Sequence, residues 1–480
     1  MKSGFMLFLS GVALFAVTSQ GMAAVDHSEF VTGPFKDGPS VTKACLECHD
    51  KQASDFIKTP HWRWKGPTKG HVKGFEKSNK EFGKSNMLNN FCTSVQGGPN
   101  GMVHEACAKC HAGYGWTTTN FDFSDKTKVD CLICHAQKGD YLRKNAKDID
   151  EFTDLDVAAK SVGMPTRGNC GTCHFKGGGG DAVKHGELDT TMTNPAKSLD
   201  VHMGSTATGG QNMSCQACHK TKDHRISGAS TMMATYDGRT FCIDCHSGKR
   251  APHQKSKNGV ILNRHIATVA CQTCHIPTFA RGQAVRMSWD WSYTGKNVEP
   301  EKKDGLEVFR KAEGVFTWGK DVVPTYAWYN GQIDRYMEGQ KIKDPNGVVY
   351  ISHPVGSVKD KGAKIYPFKV FTGKQPMDSK FKYLSIYQQY KSLWVDYQWD
   401  KALKLGAEGS GLPYSGKFQF VKTANFILNT HQIAPKEDAL DCGQCHMGGD
   451  RMDWKALGYK GDPMKIGGRF TKTLRKKGQK

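Results

Sequence analysis

The sequence has 480 residues, of which 38% are hydrophobic and 53 are glycine, and a formal net charge of +21. Such a length ordinarily makes two or three domains, and such a charge suits nucleic acid or another anionic partner. The amino terminus excludes nucleic acid: Lys2 precedes an uncharged apolar run over residues 4–17, with small residues at Gly21 and Ala23. This reads as a secretory signal peptide over 1–23, too short to span a bilayer and cleaved after Ala23 or Ala24. The mature chain is therefore expected in the periplasm, and no later stretch is apolar enough to be an integral membrane segment.

Along the mature chain, Cys-x-x-Cys-His recurs eight times and uses sixteen of the 17 cysteines. The cysteine pairs are Cys45 and Cys48, Cys107 and Cys110, Cys131 and Cys134, Cys170 and Cys173, Cys215 and Cys218, Cys242 and Cys245, Cys271 and Cys274, and Cys442 and Cys445. The histidines that follow them are His49, His111, His135, His174, His219, His246, His275 and His446. Cys-x-x-Cys alone is half of a zinc site or a dithiol centre. A histidine directly after every second cysteine instead specifies covalent haem c, two thioethers per ring with the histidine as proximal iron ligand. Eight haems bring propionates that offset much of the positive charge, and the surplus would attract anionic substrates.

Motif spacing divides the chain. Successive motif histidines from His49 to His275 lie 24 to 62 residues apart, whereas His275 and His446 are 171 apart. This predicts a haem-rich region over 24–285, a haem-poor aromatic-rich region over 286–420, and a C-terminal region over 421–480 with the last haem and a basic tail. The fold class expected is mainly α, with much irregular loop packed around haem and minor β confined to 286–380. Trp289, Trp291, Phe316, Trp328 and Phe371, with turns at Asn330-Gly331 and Asn346-Gly347, suggest short strands and hairpins there. A helical stretch is expected from about Lys382 to Leu405.

A haem with two histidines is a filled electron carrier, whereas one lacking a strong distal ligand can bind substrate. Beyond the eight motif histidines there are eleven others among the 19. His61, His185, His202, His224, His253, His265 and His431 are the expected distal ligands, with His71 and His104 in reserve. His27, near the new terminus, and His353, in the haem-poor region, are set aside. Seven distal histidines leave one iron unusual, and the run Gly177 to His185 offers Lys184 as a neutral amine ligand, with Asp181 three residues earlier. Four glycines let backbone approach a macrocycle, although a lysine near haem also serves as a propionate partner. Cys92, outside any motif and 15 residues before Cys107, is either a reactive thiol or a small buried apolar residue.

These features together resemble the octahaem tetrathionate reductases over essentially the whole mature chain: eight motifs at this spacing, Cys92 before the second, the Gly177 to His185 segment, and Cys271-Gln-Thr-Cys-His-Ile-Pro before the long gap. The resemblance implies an active haem at the second motif, with His111 proximal, Lys184 distal and displaceable, and Asp181 and Cys92 beside it as catalytic groups. It implies a periplasmic reductase fed by an electron-donor protein, taking small anionic or nitrogen-oxide substrates: tetrathionate to thiosulfate, and nitrite and hydroxylamine to ammonium. Octahaem nitrite reductases carry Cys-x-x-Cys-Lys at the active haem, and multihaem sulfite reductases a motif with a longer intercysteine gap; neither occurs here. Hydroxylamine oxidoreductases use a tyrosine after the last motif, to which Tyr459 corresponds loosely. The alternative from another class is an electron wire with all eight irons filled.

Overall fold

The structure, a computed structural model, describes residues 26–469 except 68–69, 92, 95, 99–101, 104, 229–237 and 449. The signal segment, Cys92, His104 and the tail beyond Arg469 lie outside the described residues. No helix among those described is long and apolar enough to cross a membrane.

The motifs sit on short helices or single turns. Helix α1, Gly38–Phe56, carries the first; it starts where Asp37 Oδ1 accepts from Ser40 N at 2.8 Å, with Pro39 in its first turn, a cap of the kind that contributes about 1 kcal/mol. His49 leaves helical dihedrals (φ −112°, ψ 30°), so the helix bends where the motif ends. Helix α2, Arg167–His174, carries the fourth and is capped reciprocally by Thr166 and Asn169. Four more motifs sit largely on one-turn helices at Leu132–His135, Cys242–Cys245, Cys271–His275 and Cys442–Cys445. One turn brings residues three apart to the same face, which sets the two thiols side by side with the histidine next to them.

The stretch between the last two motifs departs from expectation. In place of minor β it builds an eight-stranded sheet: β1 Val285–Asp290, β2 Phe309–Arg310, β3 Gly314–Gly319, β4 Thr325–Tyr329, β5 Ile333–Arg335, β6 Val348–Pro354, β7 Lys364–Asp378 and β8 Phe418–Leu428. The order is β2-β3-β1-β7-β8-β6-β5, with β4 also pairing β7. Fifteen-residue β7 is the spine. It runs antiparallel to β8 from Phe368↔Leu428 to Asp378↔Phe418, while its other edge takes β4 antiparallel and β1 parallel at successive stretches. Asn346-Gly347 ends the connection between β5 and β6, which do pair, but Asn330-Gly331 joins β4 to β5, which do not. The expected helix over 382–405 appears as a π-turn at Gln389–Leu393, a short turn, and α3, Trp399–Ser410.

One apolar core ties this sheet to the motif-bearing loops. Trp289, Trp291, Phe316, Phe371, Tyr387, Leu393 and Leu403 pack with Phe91 and Val183, all 3% exposed or less. Phe91 meets Phe371 edge-on at 4.7 Å, and Trp289 stacks on Trp291 at 4.6 Å. Burying each such side chain contributes roughly 1.5–3 kcal/mol. Val183 precedes Lys184, so the sheet fixes the backbone from which that lysine projects.

Candidate haem-binding and catalytic site

Seven motif histidines each stand opposite one other histidine at nearly constant spacing. Ring centroids are 6.2 Å apart for His27 and His49, 6.1 Å for His61 and His174, and 6.3 Å for His135 and His224. They are 6.1 Å apart for His202 and His246, 6.3 Å for His219 and His431, 6.4 Å for His253 and His275, and 6.3 Å for His265 and His446. An iron held by one nitrogen of each ring at about 2 Å separates two imidazole centroids by roughly 6 Å. The residues present therefore fit a bis-histidine haem at seven positions.

The Nδ1 atoms of six of these rings already have partners, which leaves Nε2 for a metal. His135 Nδ1 faces Gly163 O at 2.8 Å, His253 Nδ1 faces Asn263 Oδ1 at 2.9 Å and His265 Nδ1 faces Ile261 O at 2.9 Å. His219 Nδ1 faces Ser227 O at 3.3 Å, His431 Nδ1 faces Glu187 Oε1 at 3.3 Å and His446 Nδ1 faces Asp462 Oδ1 at 2.5 Å.

Two placements differ from expectation. His27, set aside as too near the terminus, stands opposite His49: Asp26 caps the turn His27–Glu29 and folds it back onto the first motif. His185 stands opposite no motif histidine. It lines the cavity near His174 and His431, but those rings already face His61 and His219. His71 lies along the sheet edge, its carbonyl accepting from Ile333 N, and His353 packs on Phe426.

His111 is the exception among motif histidines. It is fully buried between Trp62, Trp64, Trp116, Phe121 and Phe123, with Nε2 2.5 Å from Trp62 O. No described histidine stands opposite it. Binding iron requires that its Nε2 exchange the Trp62 carbonyl for the metal.

A single cavity of about 2990 Å³ reaches a cysteine of every motif from the second to the eighth. Lys184 lines it with Cys107, Cys110, Lys84 and Phe91, as do Gly177 to Gly180. The glycine loop closes on a Lys184 N to Gly177 O hydrogen bond of 3.2 Å, and Gly178 (φ +82°) leaves a side chain little room: a Cβ would lie 3.1 Å from Val183 and 3.3 Å from Lys184 and Phe91. Lys369, fully buried on β7, donates from Nζ to Val183 O at 2.8 Å and His185 O at 3.1 Å, clamping the carbonyls on either side of Lys184. Burial, then the charges of Lys84 and Arg335, hold the Lys184 amine down to about 8, against a smaller opposing pull from Glu187. Asp181 is placed differently from expectation. Its carboxylate accepts from Thr190 N, Thr190 Oγ1 and Gln283 Nε2, tethering the loop from outside the cavity wall. Tyr459 packs on Trp454, itself stacked on His446, so it belongs to the last motif and not the second.

Contacts between thiols of different motifs give the order in space. Cys45 meets Cys131, Cys110 meets Cys173, Cys170 meets Cys215, and Cys242 meets Cys271. Cys134 lies near Cys170 and Cys173, Cys218 near Cys245, and Cys274 near Cys445. The motifs therefore run in a row, first, third, fourth, fifth, sixth, seventh, eighth, and the second is a side branch on the fourth. Neither the branch nor the clamp by Lys369 was foreseen; Lys369 carries no motif, and only its place on a buried strand marks it.

Residues 286–449 match a family model described as bacterial cytochrome c. A curated protein of Archaeoglobus fulgidus, described as uncharacterized, is 21% identical and covers 38% of this chain and 74% of its own. The crystal structure of an octaheme cytochrome c from Shewanella oneidensis is 43% identical, with a TM-score of 0.82, and covers 92% of this chain and 98% of its own. The chain belongs to the octahaem c-type cytochrome family, that of the octahaem tetrathionate reductases its motifs resemble.

Proposed function

We propose that the chain is an exported octahaem reductase that takes substrate at its second motif, reducing tetrathionate to thiosulfate and, as further substrates, nitrite and hydroxylamine to ammonium. The observation that carries this reading is an asymmetry: seven motif histidines face a partner histidine, whereas His111 faces none among the described residues, and Lys184 lines the same cavity as Cys107 and Cys110 and shares Lys84 as a neighbour with Cys110.

Under this reading the sixteen motif cysteines would hold eight haems c, and the motif histidines together with His27, His61, His202, His224, His253, His265 and His431 would supply the iron ligands. Lys184 would be the second ligand, with His111, at the second motif. The haems supply one-electron chemistry, and two electrons split the central sulfur–sulfur bond of tetrathionate to give two thiosulfates. An amine whose proton affinity is lowered by burial binds metal as the neutral base, yet yields more readily than imidazole to an incoming anion. Lys84, Lys109 and Arg335 add positive charge near the same wall, which favours an anionic substrate. Lys369 fixes the backbone on both sides of Lys184, so the side chain moves while its anchor stays. Once aside, Nζ of Lys184 holds or releases a proton within the cavity. Cys92 enters only through the family resemblance, and Asp181 acts as the loop tether. A periplasmic donor protein supplies the electrons.

The test is oxidation of reduced viologen by the haem-loaded protein with tetrathionate, nitrite or hydroxylamine, beside Lys184→Ala. Turnover that changes in the variant, together with loss of a lysine-ligated haem signal, supports the assignment. No turnover with any substrate, or a spectrum the variant leaves unchanged, removes it in favour of an electron wire.

A further inference from the structure

Among the ring partners described above, only two are carboxylates: Glu187 on His431 and Asp462 on His446. The others are backbone carbonyls or the Asn263 amide, and the Thr430 hydroxyl lies 3.3 Å from His431 Nδ1 alongside Glu187. In both carboxylate cases the opposite ring is also engaged, His219 by Ser227 O and His265 by Ile261 O. Glu187 is 1% exposed and held in place, Oε1 accepting from Thr430 N and Oε2 from Gly186 N, each at 3.1 Å. Asp462 accepts from Met464 N at 2.9 Å and Met447 N at 3.2 Å, so it too is fixed by backbone donors.

We infer that Glu187 and Asp462 are positioning residues that make the haems of the fifth and eighth motifs the low-potential members of the row. This rests on the reading of the paired histidines as axial ligands. A carboxylate on Nδ1–H makes the imidazole a stronger electron donor and adds negative charge near the iron; both stabilise the ferric state, which carries one more positive charge than the ferrous. The placement fits the branch topology. The fifth motif adjoins the fourth, off which the second branches, and Glu187 lies three residues from Lys184 on one segment clamped by Lys369. A reducing haem one step from the branch drives electrons towards the substrate site, and a reducing haem in the eighth position keeps the far end of the row from draining it.

The experiment is a spectroscopically monitored redox titration of the haem-loaded protein. Glu187→Gln and Asp462→Asn remove the charge and keep one of the two acceptor oxygens, so one backbone donor at each site loses its partner. Each variant should raise the midpoint of a single haem, a different one in each, and leave the others in place. His431→Met tests the underlying assignment separately, since methionine in place of imidazole raises a haem potential strongly. If His431→Met lifts one haem and Glu187→Gln moves none, the role of Glu187 is overturned and the ligand assignment stands. If His431→Met moves none, the ligand assignment falls and takes this inference with it. Uniform small shifts across all haems in Glu187→Gln would also overturn it, because they report a general field and not one ring.

Discussion

Replacing Asp130 by asparagine tests how the second and third motifs are joined. Asp130 follows Val129, which bridges antiparallel to Gly113 just beyond the second motif; it directly precedes Cys131 and is buried with Arg143, their side chains 0% and 1% exposed. Oδ1 accepts from Tyr114 Oη at 2.9 Å, Tyr141 Oη at 2.8 Å and Ile133 N at 3.0 Å, and Oδ2 accepts from Arg143 Nη1 at 2.8 Å. Arg143 continues the network to Ala146 O at 2.7 Å and lies 4.6 Å above the Tyr114 ring. Asparagine keeps the shape but removes the charge, leaving the guanidinium buried and uncompensated. Breaking a buried pair from one side costs about 3–5 kcal/mol. With a guanidinium m-value on the order of 4–5 kcal/mol per molar, that lowers the unfolding midpoint by roughly 1 M. Equilibrium denaturation followed by circular dichroism measures it, with Asp130→Asn, Arg143→Met and the double variant closing a cycle. The double variant should recover part of the loss. A single-variant loss under about 1 kcal/mol, or strictly additive losses, would refute the buried-pair argument.

Further perturbations read other parts of the molecule. His27→Ala should convert one low-spin haem to high-spin, while His185→Ala should leave the low-spin population unchanged; electron paramagnetic resonance decides both. Gly178→Ala forces a side chain into a left-handed position against Val183 and Phe91, costing about 1–2 kcal/mol or more, and should lower viologen-linked turnover with it. Burial holds the Glu338 carboxyl up to about 7. The folded state therefore binds more protons than the unfolded between pH 4.5 and 7, and stability falls as pH rises through that window. Glu338→Gln should remove that fall, so its advantage over the wild-type chain in denaturation should be larger at pH 8 than at pH 5.

The sequence made the haem motifs plain because covalent attachment needs its residues within five positions, a local requirement. Distal ligands are not local. His61 or His431 could be nominated by residue type, but His27 looked unsuitable at a chain end, and only the turn capped by Asp26 brings it back to His49. His185 looked suitable by residue type; the rings near it, His174 and His431, are already matched to His61 and His219, a competition only three dimensions reveal. The large sheet stayed hidden for a related reason. Strand β7 is buried along most of both faces, so it lacks the polar alternation that marks a half-exposed strand, and Pro367, Gly373 and Pro376 make it read as broken. It holds together because β8 pairs it from Phe368 to Asp378 and β4 continues the pairing to Lys364.

The thiol contacts between motifs bear on how the protein is made. Cys45 with Cys131, Cys110 with Cys173, Cys170 with Cys215 and Cys242 with Cys271 are partners from different motifs, already within reach in the folded chain. In an oxidising compartment each is a route to a disulfide that joins two motifs and denies each of them a thioether. Folding ahead of haem attachment therefore brings the wrong sulfurs together, and maturation has to attach the rings while the chain is still open or kept reduced. Since every such contact also couples two haem positions, one missed attachment leaves a neighbour exposed to the same fate, and partially loaded chains should accumulate as cross-linked species missing haems in adjacent pairs.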